Sequence, residues 1–383
     1  MRLEDICTVF TDGDWIESKD QSDEGIRLVQ TGNIGKGIYL EKEARAKYIS
    51  EDTFEKLKCT EIFPGDILVS RLPEPVGRAC IIPDKEERMI TAVDCTICRP
   101  DETVISKEYL CYFMRSNAYY TRLLGSVTGT TRKRISRKNL GNVELDVPSR
   151  EKQNEVVEQL DHLVNVIDSK TRELQLLDDL IQARFVEMFG DLMINNKQWM
   201  RLKISEICTE IVDCINKTAP TVEYETEYKM LRTTNVKNGE VDISDVKYVE
   251  QKVFDKWTRR STPQNGDVLL TREAPMGQVG LLHGVKNDVF LGQRLVSYRC
   301  DSTKMDPIFL TYQMMSGYFQ DQIKKTGKGS TVKHIPVPNC TEFEVFVPPI
   351  VKQKEFATFV HQINKIETCN LPTNHFCSLI LKL

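Results

Sequence analysis

The longest regular pattern in the chain is a heptad. Alternating steps of four and three residues land on Val156, Leu160, Leu163, Ile167, Lys170, Leu174, Leu177, Ile181, Arg184 and Met188, apolar except at Lys170 and Arg184. Steps averaging about 3.5 residues mark the seam of a helix that supercoils against another. Charged and polar residues together fill most other positions, no Pro or Gly interrupts, and Gly190 ends the run as a glycine past a last helical turn does. At 1.5 Å per residue the seam is roughly 50 Å long, too long for the interior of one compact domain. The pattern predicts a strut over 149–190. An amphipathic helix on an ordinary core is the alternative; length and strict heptad favour a two-helix coil.

On either side the chain repeats itself. Met1-Arg2-Leu3 and Asp5-Ile6-Cys7-Thr8 return as Met200-Arg201-Leu202 and Glu206-Ile207-Cys208-Thr209, and PGDILVSR returns as NGDVLLTR. Pro75 and Gly77 match Pro275 and Gly277, Gly129, Thr131, Lys133 and Ile135 match Gly329, Thr331, Lys333 and Ile335, and Lys152-Gln153 matches Lys352-Gln353, always 200 positions on. So long a constant register implies tandem duplication. Each half has a globular part with short β-branched runs between Gly, Pro and Asp turns, then a helix, predicted near Glu108–Leu124 and Ile308–Ile323. The expected fold class is α/β or α+β, with globular domains at 1–148 and 191–349, a linker at Asp191–Trp199, and helices at 149–190 and 350–383. The second helix starts on the same track, with Gln353, Phe356, Val360 and Ile363; Glu367 and Pro372 then break it, so it is expected to be shortened.

Composition narrows the class. The chain has 383 residues, 40% hydrophobic and 28% charged, with a formal net charge of −4. No apolar run approaches the ~18 residues of a membrane helix, and the start has no signal-peptide stretch, so a cytoplasmic protein without membrane contact is expected. Twelve scattered cysteines read as buried small residues. Cys95 and Cys98 form a CxxC with no second pair to complete a zinc site, in a strand-like segment that favours a structural role over metal. Any contact with nucleic acid must come from local basic patches.

Duplicated halves each followed by a helix, GDILVSR and GDVLLTR, GTTRKRIS, FVEMFGD, GQRL at 292–295, and the P-x-x-x-K-Q entry into each helix in VPSREKQ and VPPIVKQKE together resemble the DNA-specificity subunits of type I restriction-modification systems. The resemblance runs to about Ile366. It implies two target-recognition domains held by helices that pair antiparallel, with Val156, Leu160, Leu163, Ile167, Leu174, Leu177, Ile181, Met188, Phe356, Val360 and Ile363 at their interface. It also implies a non-catalytic subunit that reads a bipartite, asymmetric site on double-stranded DNA. Methyltransferase and restriction–translocase subunits would dock on it, methylating adenine and cutting. S-adenosylmethionine, ATP and Mg²⁺ would bind those partners, and no cofactor this chain. The shortened second helix departs from the family.

Affinity for DNA comes mostly from cations on phosphates, specificity from groups reaching base edges. Thr131, Arg132, Lys133, Arg134, Arg137 and Lys138 lie in a stretch without acidic residues, and Lys324, Lys325, Lys328, Thr331 and Lys333 form its counterpart. One such loop alone could be a solvated surface; recurrence in one register, in an acidic protein, favours phosphate contacts. Asn33 and Asn235 could address adenine, and Arg71 and Arg272 guanine. Because both pairs recur in halves that should read different sequences, structural or phosphate roles are favoured. Readers should lie where the halves differ, at Arg78, Asp94, Gln293, Arg294 and Arg259–Arg260, although Gln293-Arg294 fits a buried ion pair equally well.

Enzyme motifs are not seen. Asp306-Pro307-Ile308-Phe309 lacks the second proline of a methyltransferase site and reads as a helix N-cap with Pro in the first turn. There is no GxxxxGK[ST] loop, and Asp66 and Asp267 lack the downstream partners of a metal-dependent nuclease. A stand-alone nuclease or methyltransferase on a duplicated scaffold, or a scaffold binding only protein, are the competing readings. Cofactor binding by the chain alone and salt-dependent DNA binding discriminate them.

Overall fold

The computed structural model describes residues 1–129, 133–215, 217–327 and 333–370. They form two compact units, Met1–Lys170 and Thr171–Asn370.

In the first unit, the short apolar runs are strands buried on both faces. One antiparallel sheet has the order Cys7–Asp12, Cys95–Pro100, Ile67–Ser70, Ala79–Ile81. Successive side chains of a strand point to opposite faces. Ile67, Val69 and Cys98 therefore enter a core with Leu110, Met114, Tyr119 and Leu123, while Leu68, Cys95 and Ile97 enter another with Val29, Ile34, Ile62 and Met89. Double-sided burial explains why these strands read as continuous apolar runs. It also separates Cys95 from Cys98, which lie in different cores and make no ligand pair. The second sheet has the order Tyr48–Ile49, Ile26–Val29, Met89–Thr91, Glu61–Ile62, with one parallel pairing that sets Arg27 opposite Met89.

The second unit repeats this construction. Its main sheet runs Cys208–Asp213, Leu295–Cys300, Val268–Thr271, Val279–Leu281 and continues into Gly239–Val241 and Val236–Lys237. The register repeats as well: Ile67 faces Cys98, Val268 faces Tyr298, and both first strands shift register after their cysteine, Cys7 or Cys208. The smaller sheet, Lys247–Val249, Tyr228–Leu231, Val289–Leu291, keeps the parallel pairing. The mixed helix–strand class and the duplication are both present in three dimensions.

Two helical expectations are corrected. The stretch near Glu108–Leu124 is two helices, Lys107–Phe113 and Asn117–Leu124. Ser116 makes the break: its hydroxyl donates to the Phe113 carbonyl at 2.7 Å and accepts from the Tyr119 amide at 3.2 Å, ending one helix and capping the next. In the second unit Pro307–Met315 and Gly317–Thr326 are likewise divided at Ser316, which has extended backbone. Asp306 caps the first of these, accepting from the Ile308 and Phe309 amides.

The heptad stretch is one continuous helix, Arg150–Phe189. In the first unit Val156, Leu160 and Leu163 are half-buried and line a groove with Tyr109, Tyr112 and Phe113. Ile167 and Leu174 are also half-buried. In the second unit the seam departs from the expected track. Ile181, Phe185 and Phe189, four residues apart, are the buried positions, whereas Arg184 and Met188 are half-exposed and Leu177 and Met188 pack on the core's edge. The reason is that this end of the helix belongs to the second unit's own core. The Phe189 ring lies 4.5 Å from Phe309 and 5.7 Å from Phe356, and Phe185 lies 5.3 Å from Phe356.

The second helix, Ile350–Asn370, buries Phe356, Val360 and Ile363 in that same core. Arg184 sits over the Phe359 ring. Going back from Phe189 to Arg184 the partner thus advances from Phe356 to Phe359, the antiparallel sense. The expected linker is a built turn: Leu192 is buried, and the Trp199 indole N–H donates to the Phe189 carbonyl at 2.8 Å. No helix among the described residues is long and apolar enough to cross a membrane.

Candidate nucleic-acid interface

In each unit the basic loop is tied to the end of a central strand. In the first, Thr128 and Arg134 pair across the loop, and the buried Ile135 donates its amide to the Arg71 carbonyl at 3.2 Å. In the second, Ile335 donates to the Arg272 carbonyl at 2.9 Å, and Arg272 Nε donates back to the Ile335 carbonyl at 3.0 Å. A buried isoleucine, Ile135 or Ile335, thus anchors one end of each basic stretch. Lys133, Arg134, Arg137 and Lys138 are exposed, as are Lys324, Lys325 and Lys333. Thr131, Arg132, Lys328 and Thr331 lie outside the described residues.

Some of these cations have partners. Arg134 meets Asp94 at 3.1 Å, Arg137 lies 4.0 Å from Asp12, and Lys325 meets Asp321 at 2.6 Å. Such exposed pairs are worth ~0–1 kcal/mol and exchange readily for phosphate. Lys133 and Lys138 make no ion pair among the described residues.

The deeper candidates are corrected. Asn33 is buried, its carbonyl accepting from the Gln30 amide and its amide donating to the Leu40 carbonyl, both at 3.0 Å. Asn235 is held likewise by the Arg232 amide and the Asp242 and Asp245 carbonyls. Their side chains close a turn. Arg78 is buried with Nε on the Ile34 carbonyl, Nη1 on the Leu72 and Pro75 carbonyls and Nη2 on the Thr31 carbonyl. Arg71 is buried between the Val93 carbonyl and Asp12, 3.3 Å away. Burial pulls both guanidiniums below their ordinary pKa, and at Arg71 the Asp12 carboxylate opposes the shift. These four side chains hold loops together. The recurrence of the asparagine and of Arg71 as Arg272 reflects a shared framework, whereas Arg78 has Gln278 as its counterpart; Asp66 on Arg99 and Asp267 on Arg299, pairs of 2.7 and 2.9 Å, likewise brace the same sheet in each unit.

What differs between the copies lies beside the basic loop. The Arg71 amide donates to the Asp94 carbonyl and the Arg272 amide to the Arg294 carbonyl, so Asp94 and Arg294 occupy one equivalent place with opposite charges. Arg294 is exposed, with Nε 3.2 Å from Glu273, and its φ of 72° is in the left-handed region that ordinary side chains avoid. It makes a surface pair, not a buried one. Gln293 is half-buried and accepts from the Thr218 hydroxyl at 3.4 Å; with Arg232, Thr233 and Arg294 it lines a small pocket of about 150 Å³. Arg259 and Arg260 are exposed, Arg260 meeting Asp213 at 2.8 Å. The pairing acids Asp12, Asp213 and Glu273 were missed from the sequence; their signal is position at or next to strand ends leading into this edge. Among the described residues no cluster of three or more His, Cys, Asp or Glu is placed to hold a metal.

A family model described as the type I restriction modification DNA specificity domain matches this chain twice, over residues 1–178 and 196–373. The chain belongs to that family. It is 22% identical over 272 residues to the MjaVIII specificity subunit of Methanocaldococcus jannaschii, a match covering 67% of this chain and 63% of that subunit. It is 22% identical over 289 residues to the EcoKI specificity subunit of Escherichia coli, covering 70% and 61%. The matches span less than two thirds of these relatives' length. Its fold is similar to the crystal structure of a type I restriction-modification S subunit from M. genitalium, with TM-score 0.56, 11% identity and coverage of 100% and 94%. A chain from a study of complex assembly and conformational transition in a type I system gives 0.53, 15%, 100% and 95%. Each unit of this chain carries one basic stretch anchored at a buried isoleucine, beside a position, Asp94 or Arg294, that differs between the two copies.

Proposed function

We propose that this chain is the DNA-reading subunit of a type I restriction-modification complex. Its two units read the two parts of an asymmetric site, and the helices set their spacing. Methyltransferase and restriction–translocase subunits supply S-adenosylmethionine, ATP and Mg²⁺ chemistry, with adenine the methylated base, in the cytoplasm. The globular domains at 1–148 and 191–349 are the readers, and the helices Arg150–Phe189 and Ile350–Asn370 the frame.

The observation that carries this reading is the pair of anchored basic loops, alike in attachment and flanked by opposite charges at Asp94 and Arg294. Common anchoring suits sequence-independent phosphate contact, and divergence beside it suits reading of different half-sites. Phosphate contact is assigned to Arg132, Lys133, Arg134, Arg137, Lys138, Lys324, Lys328 and Lys333, base reading to Gln293 and Arg294. The test is methylation mapping in cells that express the chain with its methyltransferase partner. A split, asymmetric methylated motif is expected; no sequence-specific methylation above that of the partner alone would overturn the reading.

A further inference from the structure

The same edge of the first unit carries a feature that basic loops do not explain. Trp15 is 70% exposed, more than any other aromatic among the described residues. Its indole N–H donates to the Glu17 carboxylate at 3.4 Å, and most of the ring remains accessible. Its mount is rigid. The Gly13 amide donates to the Cys95 carbonyl, and a Cβ at Gly13 would lie 2.4 Å from the Thr91 carbonyl oxygen, so the backbones are in close contact. The Asp14 amide donates to the Thr91 carbonyl, and its carboxylate accepts from the Thr60 amide at 2.7 Å. Ile16, on the other side, packs into a hydrophobic core.

Trp15 stands three residues beyond Asp12, which faces Arg71 and Arg137, and its mount is fixed to the segment 91–95, whose Asp94 holds Arg134. The chain thus joins the Trp15 mount to the strand end that carries the exposed Arg134 and Arg137, and duplex DNA offers phosphates to such cations and apolar base edges, the thymine methyl above all, to a ring. At the equivalent place, four residues past Val212 of the second copy's first strand, the chain has Asn216, so the feature belongs to the first half alone.

We propose that Trp15 is a base-contacting residue of the first half-site, laying its indole against base edges in a groove while Arg134 and Arg137 hold the backbone. This deepens the DNA-reading function proposed above and rests on it. Loss of one correct base contact in a duplex site costs ~1–3 kcal/mol, and discrimination by such a contact is confined to the base pairs it touches.

The test uses the full chain assembled with its methyltransferase partner, comparing the parent, Trp15→Ala and Trp15→Phe on the mapped cognate duplex and an unrelated duplex over a range of salt. Trp15→Ala should weaken cognate binding about tenfold or more, leave the salt slope unchanged, and relax methylation specificity in one half-site only. Trp15→Phe should restore most of the affinity. Cognate affinity within twofold of the parent would overturn the assignment, as would equal loss on both duplexes. Loss of partner assembly at unchanged DNA affinity would make Trp15 a protein contact and overturn it too. A parent complex that binds no duplex sinks the DNA-reading function and this residue with it; a parent that binds no better than its alanine variant sinks only Trp15.

Discussion

Gln353 makes, in the second unit, the same three hydrogen bonds that Gln153 makes in the first. The Gln153 carbonyl accepts from the Ser106 amide at 2.8 Å, and its amide donates to the Val104 and Pro148 carbonyls, both at 3.0 Å. The Gln353 carbonyl accepts from the Asp306 amide at 2.9 Å, and its amide donates to Lys304 at 3.0 Å and Pro348 at 2.7 Å. Both side chains are buried. The P-x-x-x-K-Q motif is therefore a pin joining a helix to the domain before it, using carbonyls and an amide that secondary structure leaves open.

Removing the pin should show as stability, not as DNA chemistry. Gln153→Ala leaves a buried N–H and two carbonyls without partners, and Gln353→Ala does the same in its unit. Such changes cost ~1–3 kcal/mol per stranded group; with partial relaxation we expect ~2–4 kcal/mol for each variant by denaturant unfolding. Gln153→Glu should do no better, because a carboxylate cannot donate to the two carbonyls. A change below ~0.5 kcal/mol, within the usual range for surface substitutions, would show that the helix is held by its apolar face alone.

The motif, the duplication and several strands, Val268–Thr271 and Val279–Leu281 among them, were legible in the sequence because each is local or repeated. Less legible was whatever depended on which neighbour arrives. The heptad pointed to Arg184 and Met188, yet Phe185 and Phe189 are buried, since the second unit offers Phe309 and Phe356 on that side. Asn33 and Arg78 had the right chemistry for bases, but the chain's own carbonyls and amides occupy them. The stretch near Glu108–Leu124 reads as one helix, and the two hydrogen bonds of Ser116 show that it ends one and starts the next.

Burial of cysteines makes the fold sensitive to alkali. Burial pushes the Cys80 and Cys95 thiols up to about 12, against about 8.5 for an unfolded chain. Between these values the unfolded state releases thiol protons that the native state keeps, so stability falls as pH rises. Each thiol contributes up to ~1.4 kcal/mol per pH unit. Cys80→Ala with Cys95→Ala should lower stability at pH 7 but flatten the decline between pH 8.5 and 10. An unchanged slope in urea unfolding across that window would contradict the burial.

The basic loop of the first unit should act on every duplex alike. Replacing Arg132, Lys133 and Arg134 together by Ala is expected to weaken binding to all sequences and to reduce the salt slope by roughly 0.9 for each phosphate no longer neutralised. Asp94→Asn tests the opposite direction. It releases Arg134 from its 3.1 Å pair, so affinity for unrelated DNA should rise at low salt and the slope steepen. An unaltered slope in both variants would place this loop away from the backbone.

The long helix should behave as a ruler. It runs without a break from Arg150 to Phe189, and the two compact units divide within it, between Lys170 and Thr171. Four residues inserted after Thr171 lengthen it by about 6 Å. The added stutter shifts the apolar stripe by about 40°, which a coiled coil absorbs by local unwinding. The end that carries Ile181, Phe185 and Phe189 keeps its place in the second unit's core, because the insertion precedes it by more than two turns. DNA rises ~3.4 Å per base pair, so the spacer of the methylated site should grow by one or two base pairs, two being the upper bound for a helix parallel to the DNA. Both half-site sequences should be retained, since no reading residue moves within its own unit. Methylation mapping of the insertion variant gives the spacer directly. A spacer of unchanged length with both half-sites still modified would mean that another connection sets the distance, and a flexible path that absorbs the insertion would replace the rigid one.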